Sequence, residues 1–489
     1  MYLFLVILLG LALRFTYIVK PEGLWNDEYV SWFVASTPFN QGFWSEVFKQ
    51  CHMPLYYLYL KPFTHCSDLV LRITSVLPSV LAIYIMYLVG KEYSEKCAKI
   101  AAFVTSILPF LVYYSQEVRF YSLVFLFSAA ILLCAIRILK GVNKAGVNKN
   151  DIVLYSIFSI LLIFTHVLGV IYVFFMTLIL LFKTKLVSKK ILAAIGIVLL
   201  AVLPFAFVIL KQLPSAQWWG VFSYTNILFL FSDFYSPILS NHVNAPPVFY
   251  YKSDWLFKAL ITIPTLIALT GIVLGIKKLK SFISVVIGML IVTVILALSG
   301  KIVFITKYVI EIFPILILGL AIGFDSENII KKILLYLFIF INLFSILTVY
   351  YPSKIPRAEG NNLPAIILNE QKPDNIIFTY YAPDRFYRYL NTNAKMKHIS
   401  KINRLQYKDN PAEILKDIPS GESVSVVFLN SVSFIPKDRI KESEQRNLPE
   451  MFITFSKIKY SLEDEVKKNF RNLNYTTLGQ WTVLNGVKG

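Results

Sequence analysis

The chain has 489 residues, of which 56% are hydrophobic, and it contains 39 Phe and 29 Tyr. A single soluble core of this size cannot bury that much apolar surface, so the composition excludes an ordinary soluble protein and predicts a polytopic membrane protein. The formal net charge of +19 does not point to nucleic acid, because no basic-aromatic recognition module accompanies it; membrane topology and anionic headgroups explain it better.

Apolar segments fill most of the first 350 residues. A membrane-spanning helix needs about 20 apolar residues, and roughly eleven segments meet or approach that length. They lie near residues 1–19, 69–90, 98–114, 118–139, 152–165, 167–182, 191–210, 255–276, 281–299, 305–324 and 331–350. The first has neither a basic start nor a small-residue cleavage site, so we expect a retained helix and not a signal peptide.

Residues 152–182 are too short to fit this arrangement of spans easily. Two passes between two cytoplasmic loops leave about 15 residues for each, which at about 1.5 Å per residue is short of a ~30 Å hydrocarbon core. The alternative is a re-entrant hairpin with its tip at Thr165-His166, buried against other helices because non-helical backbone at membrane depth needs protein or water around it.

Basic residues concentrate on alternate connections, and short loops rich in Lys and Arg stay on the cytoplasmic side. These connections contain Lys91, Lys96 and Lys99; Arg137, Lys140, Lys144 and Lys149; Lys183, Lys185, Lys189 and Lys190; Lys277, Lys278 and Lys280; and Lys331 with Lys332. The pattern predicts a multi-pass protein of the cell membrane with a cytoplasmic N-terminus and with Asp27 on the outer side.

Three regions are predicted to project outward, at 20–68, at about 211–254 and from 351 to 489. The first two mix aromatic and polar residues, as expected for short helices in the membrane interface. In the third, strand-like stretches at 375–380, 423–429 and 475–485 alternate with helix-like ones around 384–390, 411–417 and 461–470. We therefore predict a mainly α transmembrane helix bundle at 1–350 followed by an extracytoplasmic α/β domain at 351–489.

Two of the four cysteines, Cys51 and Cys66, fall in the first outer region, whereas Cys97 and Cys134 lie at or near the cytoplasmic face. A disulfide in the outer loop is one interpretation, since that side is oxidising. A tetrahedral zinc site with His52 and His65 has suitable ligand types but no standard spacing. Two unpaired thiols are the third alternative.

Charged residues near the outer ends of the apolar segments are the strongest functional signal. Asp27 and Glu28 follow the first segment, and four cations, Arg14, Arg72, Arg119 and Lys307, depart from the positive-inside pattern. A cation at the bilayer edge either extends to headgroups or faces a partner, a cavity or a substrate. Four of them on one leaflet, together with the carboxylates, suit a lipid-linked phosphate.

In chain order, these landmarks resemble those of glycosyltransferase family 39 and its RgtA/B/C/D-like relatives, over roughly residues 1–325. The similarity is carried by Arg14, Trp25-Asn26-Asp27-Glu28, His52-Met53-Pro54-Leu55-Tyr56-Tyr57, Leu71-Arg72, Ser115-Gln116-Glu117-Val118-Arg119-Phe120-Tyr121, Thr165-His166 and Lys307-Tyr308 with Pro314. These are GT-C membrane glycosyltransferases, which include protein O-mannosyltransferases and the aminoarabinose transferase of lipid A. The family often has His-Pro-Pro at 52–54 and Arg-Tyr at 307–308, where this chain differs.

The resemblance implies transfer of a sugar from a polyprenyl-phosphate donor to a hydroxyl of a lipid, glycan or protein at the outer face. Asp27 is then the expected base or acceptor anchor, with Glu28 orienting its loop. The departing phosphate would be held by Arg119 and Lys307, then Arg72 and Arg14. Expected substrate contacts are His52, His166, Tyr308 and Glu117. No metal is required, although Glu117 and Asp27 could share a divalent ion.

Two other functions remain open at this point. A transporter or flippase of lipid-linked glycans needs ionisable residues near the midplane and broken helices in matched halves. Here the charges lie at segment ends and no internal repeat is evident. The other alternative is a non-catalytic scaffold that binds its partner through residues 351–489.

Overall fold

The computed structural model describes residues 1–16, 18, 23–50, 52–142, 146–183, 192–193, 195–203, 230, 255–299, 304–347, 368, 370–371, 373–378, 401–404, 415–416, 418–429, 450–478 and 481–489. Contacts divide the chain into two compact units. The first comprises Met1–Val19, Val30–His242 and Phe249–Ser353, and the second comprises Lys20–Tyr29, Val243–Val248 and Lys354–Gly489.

All of the elements that the structure bounds before residue 347 are helices. They are α1 Tyr2–Phe15, α2 Asn26–Ser36, α3 Gln41–Lys49, α4 Leu55–Leu60, a 3₁₀ turn Lys61–Phe63, α5 Asp68–Lys91, α6 Glu95–Ile107, α7 Pro109–Ser115, α8 Tyr121–Val142, α9 Lys149–Thr165, α10 Gly169–Lys183, α11 Trp255–Leu298, a 3₁₀ helix Thr306–Ile312, α12 Phe313–Phe324 and α13 Ile329–Ser345. Side-chain caps define several starts, because an oxygen before the first turn accepts from a backbone N–H that has no helical partner. Ser67, Ser94, Asn148 and Asn328 supply these oxygens.

The apolar helices support a multi-pass membrane protein. Within the described ranges, four helices are long and apolar enough to cross a membrane, and α6 with α7 makes a fifth if this pair, bent by 55°, is one span. Pro109 opens α7 at the bend, since proline cannot donate to the preceding turn. The count of eleven spans is therefore not confirmed. Between α9 and α10, the helix breaks at His166, where the tip of the alternative hairpin was predicted.

One prediction is wrong at residues 255–299. The two expected spans and the lysine-rich connection between them form a single continuous helix, α11, of 44 residues, which is about 66 Å long at 1.5 Å per residue. Lys277, Lys278 and Lys280 lie exposed along it. Lysine and leucine are good helix formers, so this short polar stretch contains nothing that stops a helix. On α12, a Cβ at Gly323 would collide with the carbonyl oxygen of Gly271, so glycine permits the close packing of α11 on α12.

The second unit contains a five-stranded mixed sheet. Its strands are β1 Asn375–Phe378, β2 Lys401–Arg404, β3 Ser423–Leu429, β4 Phe470–Leu478 and β5 Trp481–Lys488, in the order β2-β1-β3-β5-β4. β1 pairs in parallel with β2 and β3, whereas β5 is antiparallel to β3 and β4. Val424, Val426 and Leu484 pack with Leu462 and Val466 of helix α14, Glu450–Asn469.

The α/β character of this unit agrees with the prediction, but its elements differ in detail. The single strand expected at 475–485 is wrong: its residues belong to two antiparallel strands, β4 and β5. The apolar pattern of both strands was mistaken for that of one. α14 begins well before the expected 461, and β2 was not predicted. The helix expected at 384–390 lies outside the described residues.

Candidate active site

The connection between α7 and α8 is fixed against the end of α1. Gln116 is fully buried, and its Nε2 donates to three carbonyl oxygens, those of Leu13, Arg14 and Thr16, at 3.2, 3.0 and 2.7 Å. These carbonyls belong to the last turn of α1 and its exit, where no further helical N–H can reach them. The interaction sets the position of the residues that follow Gln116, including Arg119.

Two predicted phosphate-binding cations converge on one aromatic ring. The Arg119 guanidinium carbon lies 6.0 Å from the centroid of Tyr121, and the Lys307 Nζ lies 5.8 Å from the same centroid. Each also lies against its chain neighbour, Arg119 5.1 Å from Phe120 and Lys307 5.6 Å from Tyr308. Cations favour such ring faces. The structure therefore brings together two charges that are far apart in the sequence.

His166 lies among the same rings. Its imidazole stacks on Phe120, with centroids 5.1 Å apart and an angle of 28°, and it lies 6.4 Å from the ring of Tyr308. On the other side, His52 contacts Phe120 edge-on at 5.3 Å and has its Nδ1 2.5 Å from the Tyr57 hydroxyl. We call Arg119, Phe120, Tyr121, His166, Lys307 and Tyr308 the aromatic-cation cluster; His52 borders it.

Glu311 is a site residue that sequence reasoning missed. It is fully buried, and its Oε1 lies 2.6 Å from Nδ1 of His166. It belongs to the same 3₁₀ helix as Lys307 and Tyr308, in which Val309 has non-helical dihedral angles. The available signal was an acidic side chain inside an apolar segment, where ionisable residues usually have a partner and a function. The interpretation of 305–324 as an ordinary span obscured it.

The two other predicted cations are held by backbone carbonyls. Arg72 is 1% exposed, and its Nη1 donates to the carbonyl of Ile18 at 3.3 Å. Arg14 is completely buried and joins three helices. Its Nε donates to Ser79 Oγ at 2.7 Å, and its terminal nitrogens donate to the carbonyls of Gly10, Ser106 and Thr105 at 3.0, 2.9 and 3.1 Å.

We expect Arg14→Gln to destabilise the protein. Two of the carbonyls that accept from Arg14 belong to the last turn of α6. Leaving such buried acceptors without a hydrogen bond costs about 1–3 kcal/mol each. Thermal unfolding in detergent should show a lower midpoint than wild type. Lys149→Gln, an exposed change at the start of α9, should leave the midpoint unchanged. An unaltered midpoint for Arg14→Gln would show that these bonds are not needed to hold α1, α5 and α6 together.

The predicted catalytic carboxylates form the first turn of α2. Glu28 is fully buried, and its Oε2 accepts from the backbone N–H of Trp25 at 3.2 Å, while the N–H of Tyr29 donates to the Trp25 carbonyl at 2.8 Å. A glutamate three residues into a helix that reaches back to the cap residue is half of a capping box. This geometry gives Glu28 a role in forming the helix, and Asp27 is only partly buried.

Helix α2 also carries a contact of Arg119. Its Nη1 donates to the hydroxyl of Ser31 at 3.3 Å. Glu117, predicted to contact substrate, is 1% exposed, and its backbone carbonyl accepts from the N–H of Arg119 at 2.7 Å.

The structure does not test the predicted disulfide or the predicted metal sites. In the described ranges, no three His, Cys, Asp or Glu side chains are grouped so that they could hold a metal ion. Cys51 lies outside those ranges, so the predicted disulfide with Cys66 and the alternative zinc site remain predictions.

Comparison with known proteins finds similarity in structure only. No family model matches the sequence, and no curated protein matches it. ArnT from Cupriavidus metallidurans, solved in the apo state and bound to undecaprenyl phosphate, is 10% identical with a TM-score of 0.54, over 99% of this chain and 97% of ArnT. The Archaeoglobus fulgidus oligosaccharyltransferase, tethered with an acceptor peptide, is 12% identical with a TM-score of 0.48, over 100% of this chain and 73% of that one.

Proposed function

We propose that this chain, which has the fold of the GT-C membrane glycosyltransferases, transfers a sugar from a polyprenyl-phosphate donor to a hydroxyl acceptor. The observation that carries the proposal is the convergence of Arg119 and Lys307 on Tyr121. Two cations held by a common ring offer a binding site for an anion at the edge of an apolar bundle. A phosphate on a long isoprenoid chain has both the charge and the apolar tail that such a place suits.

One structural neighbour, ArnT, supports the choice of lipid. ArnT has been solved with undecaprenyl phosphate bound, and the fold likeness extends over nearly all of both chains. We propose that Arg119 and Lys307 bind the donor phosphate and that Arg72 adds positive potential nearby. Arg14 donates to four protein oxygens, so in this proposal it holds the helices together and does not bind the phosphate.

In the proposed reaction, Asp27 accepts the proton of the acceptor hydroxyl as its oxygen attacks the anomeric carbon of the sugar. The bond from that carbon to the phosphate oxygen breaks, and the electron pair leaves with the polyprenyl phosphate. Arg119 and Lys307 stabilise the added negative charge where it develops, which is usually a large part of the lowering of the barrier. Glu28 keeps Asp27 in place by capping α2.

We propose further contacts for the remaining groups. His52, which borders the aromatic-cation cluster, and Tyr308, which belongs to it, would contact the sugar. Glu117 would hold Arg119 in position or contact the acceptor. Residues 351–489 would lie on the extracytoplasmic side of the membrane. The reaction would then occur at the outer leaflet of the cell membrane.

Mass spectrometry of glycolipids and glycoproteins from the cell envelope, with and without the gene, tests this function. We expect one class of envelope molecule to lose a single sugar when the gene is absent, and the sugar-charged lipid donor to accumulate. If the chain were a flippase, its loss would instead leave the donor on the cytoplasmic leaflet and would affect every product made from that donor. An unchanged envelope would contradict the proposal.

A further inference from the structure

A buried hydrogen bond crosses the aromatic-cation cluster, between two residues that are 145 positions apart in the sequence. Glu311 is 0% exposed and His166 is 5% exposed, and Oε1 of the first lies 2.6 Å from Nδ1 of the second. Glu311 belongs to the 3₁₀ helix of Lys307, whereas His166 follows the last residue of α9. Burying a carboxylate is costly, and ionisable residues inside apolar segments usually have a partner and a function.

The backbone around Lys307 is irregular. The segment Thr306–Ile312 is a 3₁₀ helix of seven residues, a form with poorer hydrogen bonds than an α-helix that seldom runs beyond about four residues. Val309, between Lys307 and Glu311, has non-helical angles, φ −116° and ψ 27°. Helical hydrogen bonding is thus a weak constraint on Lys307, and the side-chain contacts of the segment gain importance.

The hydrogen bond connects this segment to the ring that lies beside the other cation. The imidazole of His166 stacks on Phe120 with centroids 5.1 Å apart, and the Arg119 guanidinium carbon lies 5.1 Å from the centroid of the same ring. The connection that contains Phe120 is fixed to the end of α1 by Gln116, which donates to three carbonyl oxygens there. A path from the carboxylate through the imidazole to Phe120 therefore joins the 3₁₀ helix to a fixed part of the helix bundle.

Two ring contacts between the same segments constrain the position of the 3₁₀ helix less. Lys307 Nζ lies 5.8 Å from the centroid of Tyr121, and the ring of Tyr308 lies 6.4 Å from that of His166. Contacts over a ring face at such distances allow one group to slide across the other, whereas a hydrogen bond weakens steeply when its angle departs from the optimum. Of these three contacts, the hydrogen bond of Glu311 sets the position of the segment most narrowly.

We propose that Glu311 is a positioning residue for the donor-phosphate site. Through its bond to His166 it holds Lys307 where this cation and that of Arg119 can bind one phosphate together. The inference rests on the proposed function, because it gives the bond a task in binding the donor. It needs the hydrogen bond but no particular charge on either partner, since a glutamine in place of Glu311 can both accept from and donate to an imidazole nitrogen. Charges held in advance at fixed positions are what stabilise a developing anion.

NMR of the full chain in lipid nanodiscs, with ¹³C at the lysine Cε, measures the position of Lys307 without any assay of transfer. The ammonium lies over the rings of Tyr121 and Tyr308, whose ring currents should displace the signal of the adjoining Cε. The signal that Lys307→Met removes identifies it. We expect Glu311→Leu, which removes the hydrogen bond, to shift this signal towards that of an exposed lysine, and Glu311→Gln to leave it in place.

Changes at His166 test the other end of the bond. In His166→Phe the new ring can still stack on Phe120 but has no nitrogen for Glu311, so the Lys307 signal should shift as it does in Glu311→Leu. The double variant of His166→Phe and Glu311→Leu leaves neither partner buried without its bond, and replacing both partners by apolar groups can be nearly neutral for stability. It keeps the test available if a single variant fails to fold.

A double-mutant cycle with Lys307→Met shows whether Glu311 acts through Lys307. Initial rates of polyprenyl phosphate release should fall by up to about 10²-fold in Glu311→Leu, the loss that a misplacement of about 1 Å can cause, and should stay close to wild type in Glu311→Gln. In the Lys307→Met background, Glu311→Leu should cause little further loss, because the cation that it positions is absent. Thr177→Val, which removes the 2.9 Å hydrogen bond between Thr177 and Tyr155 that joins α10 to α9, should leave the rate and the Lys307 signal unchanged.

The outcomes separate the two proposals. A Lys307 signal that is the same in wild type, in Glu311→Leu and in the double variant with His166→Phe overturns the role of Glu311, whether or not the protein transfers a sugar. Equal effects of Glu311→Gln and Glu311→Leu overturn it too, because the charge and not the hydrogen bond would then matter. So does an equal factor of rate loss with and without Lys307, which is the result of a merely structural role. No release by wild type contradicts the proposed function, while the NMR signal still decides whether Glu311 positions Lys307.

Discussion

Replacing Asp27 by Asn should abolish sugar transfer while the protein still folds and reaches the membrane. An amide cannot accept the proton of the attacking hydroxyl, and loss of a general base typically costs about 10²–10⁴ in rate. Asp27 is partly exposed, and the cap of α2 is made by Glu28, so the helix should remain. The measurement is the glycan profile of cells that express the variant in place of wild type, at equal protein level.

Asp27→Glu and Glu28→Gln are the matched controls. Asp27→Glu retains the base but moves it by one methylene, so we expect a reduced yet measurable rate. Glu28→Gln retains an oxygen that can accept from the Trp25 N–H and should preserve most transfer. Full transfer by Asp27→Asn would remove Asp27 from the mechanism. A loss of transfer in Glu28→Gln as large as in Asp27→Asn would show that the assignment of proton transfer to Asp27 alone is wrong.

Replacing Lys307 by Met should lower transfer by about 10²–10³, the range found when one fixed stabilising group is removed from a developing anion. Methionine keeps the apolar contacts with Tyr121 and Tyr308 but removes the charge. Lys307→Arg should retain most activity because it restores the cation and adds a planar fork for the phosphate. Initial rates of polyprenyl phosphate release by the purified proteins measure both effects.

A charge-neutralising change away from the cluster controls for the loss of a positive charge as such. Lys332→Met at the start of α13 removes a half-buried cation paired with Glu327 and should leave the rate unchanged. Arg119→Lys should be impaired more than Lys307→Arg, because a single ammonium cannot keep the contact with Ser31 and also bind a phosphate in two places. Equal rates for Lys307→Met and wild type would show that this cation does not stabilise the leaving group.

The sequence was most informative where charge interrupts apolar segments. Arg119, Lys307 and His166 were singled out for this reason, and the structure brings all three to one group of rings. The cost of placing ionisable groups near a bilayer makes each of them conspicuous. The fold class could also be predicted from the sequence. The long apolar segments and the mixed composition after residue 350 are visible without any knowledge of packing.

Pairings between distant residues could not be read in this way. The contact of His166 with Glu311 spans 145 positions, and no local pattern marks it. The four protein oxygens around Arg14 are equally invisible, because they become neighbours only when α1, α5 and α6 pack. The continuity of α11 was missed because a short lysine-rich stretch reads as a loop when a length of about 20 residues per span is assumed.

The most direct test of the account is the release of free polyprenyl phosphate by the purified chain in proteoliposomes. The vesicles would contain lipid-linked sugars and acceptors extracted from cells that lack the gene, so the sugar need not be known beforehand. With wild type we expect polyprenyl phosphate to appear together with an acceptor heavier by one sugar, and with Asp27→Asn we expect neither. Acceptors that gain no sugar, or equal release by both proteins, would contradict the assignment as a lipid-phosphate-dependent glycosyltransferase.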